Sequence, residues 1–224
     1  MQPPARIHMI RHGQVDRPWP TRLYGALDVP LSERGREQSR DLAGRFRHLT
    51  LASVVSSGLE RAEFAAALLR ADRDLERRDD PRLAERSRGT WAGLGRDEVN
   101  RARSGAWEEF WRSEGILTPP GGETLEEVAA RVLPALAELA AAHAGQTLVV
   151  VAHLWVTRVA LCHTLGMPLT RCARLAIGHC QVASIDWPAK DWRANETGGE
   201  RPVLVGLGPG PHTADLSAHS RRGI

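Results

Sequence analysis

Arg6-Ile7-His8-Met9-Ile10-Arg11-His12-Gly13 is the stretch whose reading decides the fold. Arg6 to Ile10 reads as a short strand carrying the chain up through a core. At its end stand a guanidinium, an imidazole and a glycine in succession. Ligands of open α/β sheets bind outside the carboxyl ends of the strands. The stretch therefore offers a fixed cation, a nitrogen nucleophile and a residue that lets the chain turn away with no side chain in the way. That combination suits phosphate chemistry.

Two further strands end in the same manner. Thr147 to Ala152 is continuously apolar or small, as a central parallel strand covered on both faces must be, and it runs into His153. Leu51 to Ser56, with Val54 and Val55 at its centre, passes through Ser56-Ser57-Gly58 into a helix whose first turn holds Arg61. If these strands are parallel, Arg11, His12, Arg61 and His153 meet at one sheet edge. Helix N-termini at that edge add backbone N–H groups that favour an anion. Bidentate arginine contacts suit phosphate oxygens. Glu85, on the loop after a short strand expected at Leu75 to Arg78, is the candidate proton carrier. Singly these residues say little; their joint placement at element ends is the signal.

The remaining chain supplies the scaffold. Pro18, Trp19, Pro20 and Pro30 forbid a helix, so the segment from Gln14 through Tyr24 and Gly25 to Leu31 is expected to form a rim of the site. Ser32 reads as the N-cap of a helix reaching about His48. One helix is expected over about Arg96 to Ser113, carrying Trp107, Phe110 and Trp111 as packing or lid residues. Thr124-Leu125-Glu126-Glu127 forms a capping box that opens a long helix, with Pro134 inside it. A helix follows from about Trp155 to Leu165, then late strands at Gln181–Trp187 and Pro202–Val205. Strand–helix alternation predicts an α/β fold, a three-layer α/β/α sandwich with a mostly parallel central sheet. A single domain is expected over residues 1–205. Residues 206–224, rich in glycine and proline at their start, are expected to form a flexible tail.

Composition narrows the function. The 224 residues are 42% hydrophobic and 25% charged, as in soluble globular chains. No apolar run approaches the ~20 residues that span a bilayer, so no membrane partner is expected. The N-terminus shows no hydrophobic signal region, and Cys162, Cys172 and Cys180 fit neither C-x-x-C nor a disulfide framework. A cytoplasmic location is the expectation. The net charge of +3 comes from arginine, Lys190 being the one lysine. These arginines are interleaved with acids and no basic run carries aromatics, so no nucleic-acid partner is expected. The phosphate-binding loop G-x-x-x-x-G-K-[ST], the G-x-S-x-G elbow and a cysteine with arginine six residues on are all missing. His8 and His12, four apart on a strand, would lie about 13 Å apart, too far to share a metal. Neither metal nor cofactor is expected.

The motifs resemble those of the histidine phosphatase superfamily, the phosphoglycerate-mutase-like group. Its R-H-G stands as Arg11-His12-Gly13 and its G-x-x-D-x-P-L as Gly25 to Leu31. Its S-S-x-L-x-R-A stands as Ser56 to Ala62, its L-x-E-x-x-x-G-x-W-x-G as Leu83 to Gly93, and its P-G-G-E-[ST] as Pro120 to Thr124. Its second histidine is His153. The resemblance covers roughly Arg6 to Trp187. It implies that His12 is the nucleophile, phosphorylated during turnover, and that Arg11, Arg61 and His153 bind the phosphoryl oxygens. It also implies that Glu85 protonates the leaving oxygen.

Leu154-Trp155 stand where the family commonly has Gly-Gly, and Gln14 where it often has glutamate. Gln14, Tyr24, Gly25, Leu154 and Trp155 are the expected substrate-pocket residues. Trp155 either fills the core or walls the pocket. The Tyr24-to-Leu31 loop resembles α-ribazole phosphatases more than glycolytic mutases. The expected function is metal-independent hydrolysis of a small phosphomonoester. The alternatives are phosphoglycerate-mutase-type transfer and a non-catalytic regulatory protein on the same scaffold. A homodimer is compatible with the sequence.

Overall fold

The computed structural model describes residues 2–189 and 201–210. Its strands are β1 (Ala5–Arg11), β2 (Ser53–Ser56), β3 (Arg78–Asp79), β4 (Thr147–Ala152), β5 (Val182–Trp187) and β6 (Val203–Gly208). They form one sheet in the order β3-β2-β4-β1-β5-β6. The first four are mutually parallel, β5 pairs antiparallel with β1, and β6 pairs antiparallel with β5. The helices are α1 (Glu33–Arg45), α2 (Glu60–Arg70), α3 (Arg96–Ala102), α4 (Ala106–Arg112), α5 (Leu125–Ala142) and α6 (Leu154–Leu165).

The period-2 alternation of the central strands divides the core into two layers. Ile7 and Met9 of β1, with Leu148 and Val150 of β4, pack against Val132, Leu136, Val156 and Val159 of α5 and α6. Ile10, Val149 and Val151 face the opposite side, against Leu42 of α1, Phe46 at its end, and Ala62, Ala65 and Leu69 of α2. Both faces of the sheet are thereby covered, which is why β4 tolerates no polar side chain between Leu148 and Ala152. The expected three-layer architecture and its mostly parallel sheet are what the structure shows.

The caps read from the sequence form. Ser32 Oγ accepts from the Gly35 N–H at 3.1 Å. Thr124 and Glu127 exchange side-chain-to-backbone bonds of 3.1 and 2.7 Å at the start of α5.

Three expectations are corrected. The single helix over Arg96–Ser113 is two, broken at Ser104-Gly105, residues with poor helix propensity. Asn100 Oδ1 accepts the Trp107 N–H at 2.9 Å and so begins the second helix in a new direction. The third strand is only Arg78–Asp79, because Leu75 packs into the α1–α2 layer instead of pairing. The expected boundary at 205 falls inside β6, which continues to Gly208 on the edge of the sheet. The rest of the expected tail, 211–224, lies outside the described residues.

Candidate active site

The register of the parallel strands brings the site together. Arg11 stands beside Ala152, and the His12 N–H donates to the Ala152 carbonyl at 3.1 Å. His12 and His153 therefore leave neighbouring strands side by side, with ring centroids 5.1 Å apart. Ser56 of β2 pairs with Val151, so the β2–α2 turn carries Arg61 to the same edge. Gly13 and Gly35 let the chain close behind this edge: a Cβ on Gly13 would lie 2.3 Å from the Gly35 carbonyl oxygen.

His12 is 1% exposed. Its Nδ1 donates to the Gly13 carbonyl at 2.7 Å, which leaves the lone pair on Nε2. Burial, then Arg61 and Arg11, hold its pKa well below the usual 6.5, so the ring is neutral and nucleophilic near neutral pH. His153 is also fully buried, and burial with Arg61 and His12 lowers its pKa in the same way. Ser57 Oγ lies 2.7 Å from its Nε2.

Arg61 is held by two carbonyls of the rim loop, Nη1 to Leu27 O at 2.6 Å and Nη2 to Gly25 O at 2.7 Å. Gly25 has φ +48, and a Cβ there would strike the Arg86 carbonyl at 2.6 Å, so only glycine allows this turn. Arg11 donates to Ile177 O at 2.6 Å and lies 3.2 Å from His179 Nε2. Each arginine is thus fixed by its Nη atoms. Arg11 Nε, Arg61 Nε and His153 Nδ1 are buried and have no partner among the described residues. Native proteins rarely leave such atoms unpaired. Three unpaired nitrogens at one sheet edge suit an oxyanion ligand.

Glu85 is 6% exposed. Its Oε1 accepts from the backbone N–H groups of Arg86 (2.8 Å) and Trp155 (3.2 Å). It lines a cavity of about 290 Å³ together with Arg11, Gln14, Tyr24, Gly25 and Leu154.

With this geometry, the sequence matches the histidine phosphatase superfamily (branch 1) over residues 7–198. The chain belongs to that family. Over 139 residues it is 39% identical to the glucosyl-3-phosphoglycerate phosphatase of Mycobacterium tuberculosis (strain CDC 1551 / Oshkosh), a match spanning 61% of this chain and 60% of that protein. It is 27% identical over 197 residues to a protein of Enterobacter sp. (strain 638) named "Probable phosphoglycerate mutase GpmB", covering 85% and 88%. A solved mycobacterial glucosyl-3-phosphoglycerate phosphatase has a TM-score of 0.76 at 31% identity, covering 89% of this chain and 96% of that one.

One expected pocket residue is misplaced. Trp155 does not line the cavity; it is 4% exposed and packs with Leu125, Cys162 and Cys172. Arg158 lies over its ring at 4.8 Å, with Arg86 and Arg88 at 5.3 and 5.4 Å. With His153 as N-cap, Leu154 and Trp155 are successive residues of a helix and cannot face the same way. Leu154 takes the cavity side.

Beyond the expected rim loop, four lining residues were not among the expected set: Arg88, His179, Phe110 and Trp111. The two aromatics were recognised only as packing or lid residues. Arg88 had a visible signal, a charge three residues after Glu85 inside an otherwise matched motif. His179 had none in the sequence. Burial and Arg11 push its pKa down to about 4.

Proposed function

We propose that this protein is a metal-independent phosphomonoester hydrolase in which His12 Nε2 attacks phosphorus. The observation that carries this reading is the 2.7 Å bond from His12 Nδ1 to Gly13 O, which fixes the tautomer with the lone pair on Nε2, at the sheet edge where Arg11, Arg61 and His153 keep buried nitrogens without a partner among the described residues. The P–O bond to the alcohol breaks as the N–P bond forms, and Glu85 gives its proton to the leaving oxygen. Water, losing a proton to the Glu85 carboxylate, then cleaves the phosphohistidine and releases phosphate. Arg11, Arg61 and His153 hold the three equatorial oxygens, whose charge grows in each transition state.

The substrate is a small molecule, and the protein works in the cytoplasm with no nucleic-acid or membrane partner. Its three cysteines are free, which fits a reducing compartment. No helix among the described residues is long and apolar enough to cross a membrane.

The test is rapid quench with a labelled phosphate ester in the presence of a chelator. The expected result is acid-labile, alkali-stable label on the Nε2 of one histidine, absent in His12→Ala. Label that survives in His12→Ala rejects the assignment. Transfer of label to an added organic hydroxyl in preference to water would favour the mutase reading.

A further inference from the structure

The two arginines assigned to the phosphoryl group are held without acids. Elsewhere Arg70 pairs with Glu63, Arg82 with Asp80 and Glu138, and Arg131 with Glu123. Arg11 and Arg61 form no ion pair with any described residue. Their Nη atoms donate instead to neutral acceptors. Three of these are the carbonyls of Ile177, Leu27 and Gly25, which no side-chain substitution removes. The fourth is His179 Nε2, 3.2 Å from Arg11 Nη2. The Tyr24 hydroxyl beside Arg11 is neutral as well, because burial raises its pKa.

A guanidinium only donates, so the nitrogen it meets must carry a lone pair. His179 is therefore neutral, with its proton on Nδ1. Burial and Arg11 push its pKa down to about 4, so this state persists through the neutral range. Backbone bonds fix the place of the imidazole. The Cys180 N–H donates to Arg11 O at 2.8 Å, and the Arg11 N–H to Gln181 O at 3.3 Å. Cys180 has φ +53, a left-handed conformation that cysteine seldom takes. The chain thus bends at a local cost where it meets Arg11. His179 lines the cavity, with its ring centroid 6.0 Å from that of His12.

We propose that His179 is the positioning residue for Arg11, a neutral acceptor that fixes the guanidinium and leaves its charge to the phosphoryl group. This rests on the phosphatase reading of the His12 site and adds the device that orients one of its cations. A carboxylate in the same place would hold Arg11 more strongly. It would also offset the guanidinium charge felt by an incoming dianion, and repel that dianion itself. With no acceptor at all, Arg11 Nη2 would lose a bond and the side chain would gain rotamers. A bound anion would then have to order it. A neutral imidazole avoids both penalties.

The experiment measures calorimetric binding of inorganic phosphate and orthovanadate, and hydrolysis of p-nitrophenyl phosphate, in the wild type and three variants. His179→Leu removes the acceptor, and Kd for both anions should rise about tenfold, the effect of one hydrogen bond to a charged group. His179→Gln restores a neutral acceptor, and most of the affinity should return. His179→Glu matches glutamine in shape and adds a negative charge, so it should bind both anions at least about tenfold more weakly than His179→Gln. In Arg11→Met protein, His179→Leu should change kcat/KM by less than about twofold, because its partner is gone. Wild-type affinity in His179→Leu, even with a lowered melting temperature, overturns the proposal. So does His179→Glu binding as tightly as His179→Gln. A full loss in the Arg11→Met background overturns it too, since His179 would then meet the anion directly. If the wild type hydrolyses no ester, the phosphatase reading fails by itself, and the anion affinities of the variants still decide the role of His179.

Discussion

Glu85 Oε1 accepts the backbone N–H of Trp155 at 3.2 Å, which ties the acid of the loop to the first turn of α6. A carboxamide oxygen can accept the same bond, and that from Arg86, while supplying no acidic proton. Glu85→Gln should therefore keep the fold and lose proton transfer. Turnover of alkyl phosphates is expected to fall by about 10²–10⁴-fold. Activated aryl phosphates, whose leaving groups need little protonation, should lose less than about tenfold. An equal loss on both would show that Glu85 positions the substrate without transferring a proton.

Acid should destabilise the protein well before its carboxylates titrate. His12, His153 and His179 all have folded pKa values below the unfolded 6.5, chiefly through burial. Below pH 6.5 the unfolded chain binds protons at these residues that the folded chain refuses. More protons on the unfolded state means that stability falls as pH falls. The window opens at 6.5 and, for His179, closes near its folded value of about 4. Each group contributes a slope of at most about 1.4 kcal/mol per pH unit. Urea unfolding between pH 7 and 4.5 should show this decline, and His12→Ala should flatten it. Identical slopes in the two proteins would remove His12 from the set.

Trp155 should act on stability and leave the choice between aryl and sugar phosphates alone. Its indole fills the space among Leu125, Cys162 and Cys172, and three guanidiniums lie over its faces. Trp155→Ala is expected to cost about 3–5 kcal/mol. Folded variant should keep the wild-type preference between phenyl phosphate and a small sugar phosphate. A variant of unchanged melting temperature with a raised KM for phenyl phosphate alone would contradict the packing described.

Arg11, His12, Arg61 and His153 were legible in the sequence because their positions follow from short-range rules, whereas Glu85 was singled out by the family motif around it. A residue at the end of a parallel strand emerges at the carboxyl edge of the sheet whatever the rest of the chain does. The apolar run before His153 and the turn before Arg61 carry that information locally. The caps at Ser32 and Thr124 are local in the same sense, since each is a contact across three residues.

His179 depends on a relationship that no window of sequence contains. His179 precedes β5, and it reaches the site only because β5 runs antiparallel to β1, which sets the start of one strand beside the end of the other. Strand direction is set by long-range pairing, so the sequence did not reveal it. The side on which Trp155 lies was likewise decided by where α6 begins and by the volume left between α5, α6 and the Cys172 segment. Sequence order and apolar pattern determined the family, the layers and the phosphate floor. Only tertiary packing decided the cavity walls, because those walls bring together side chains from segments far apart in the chain.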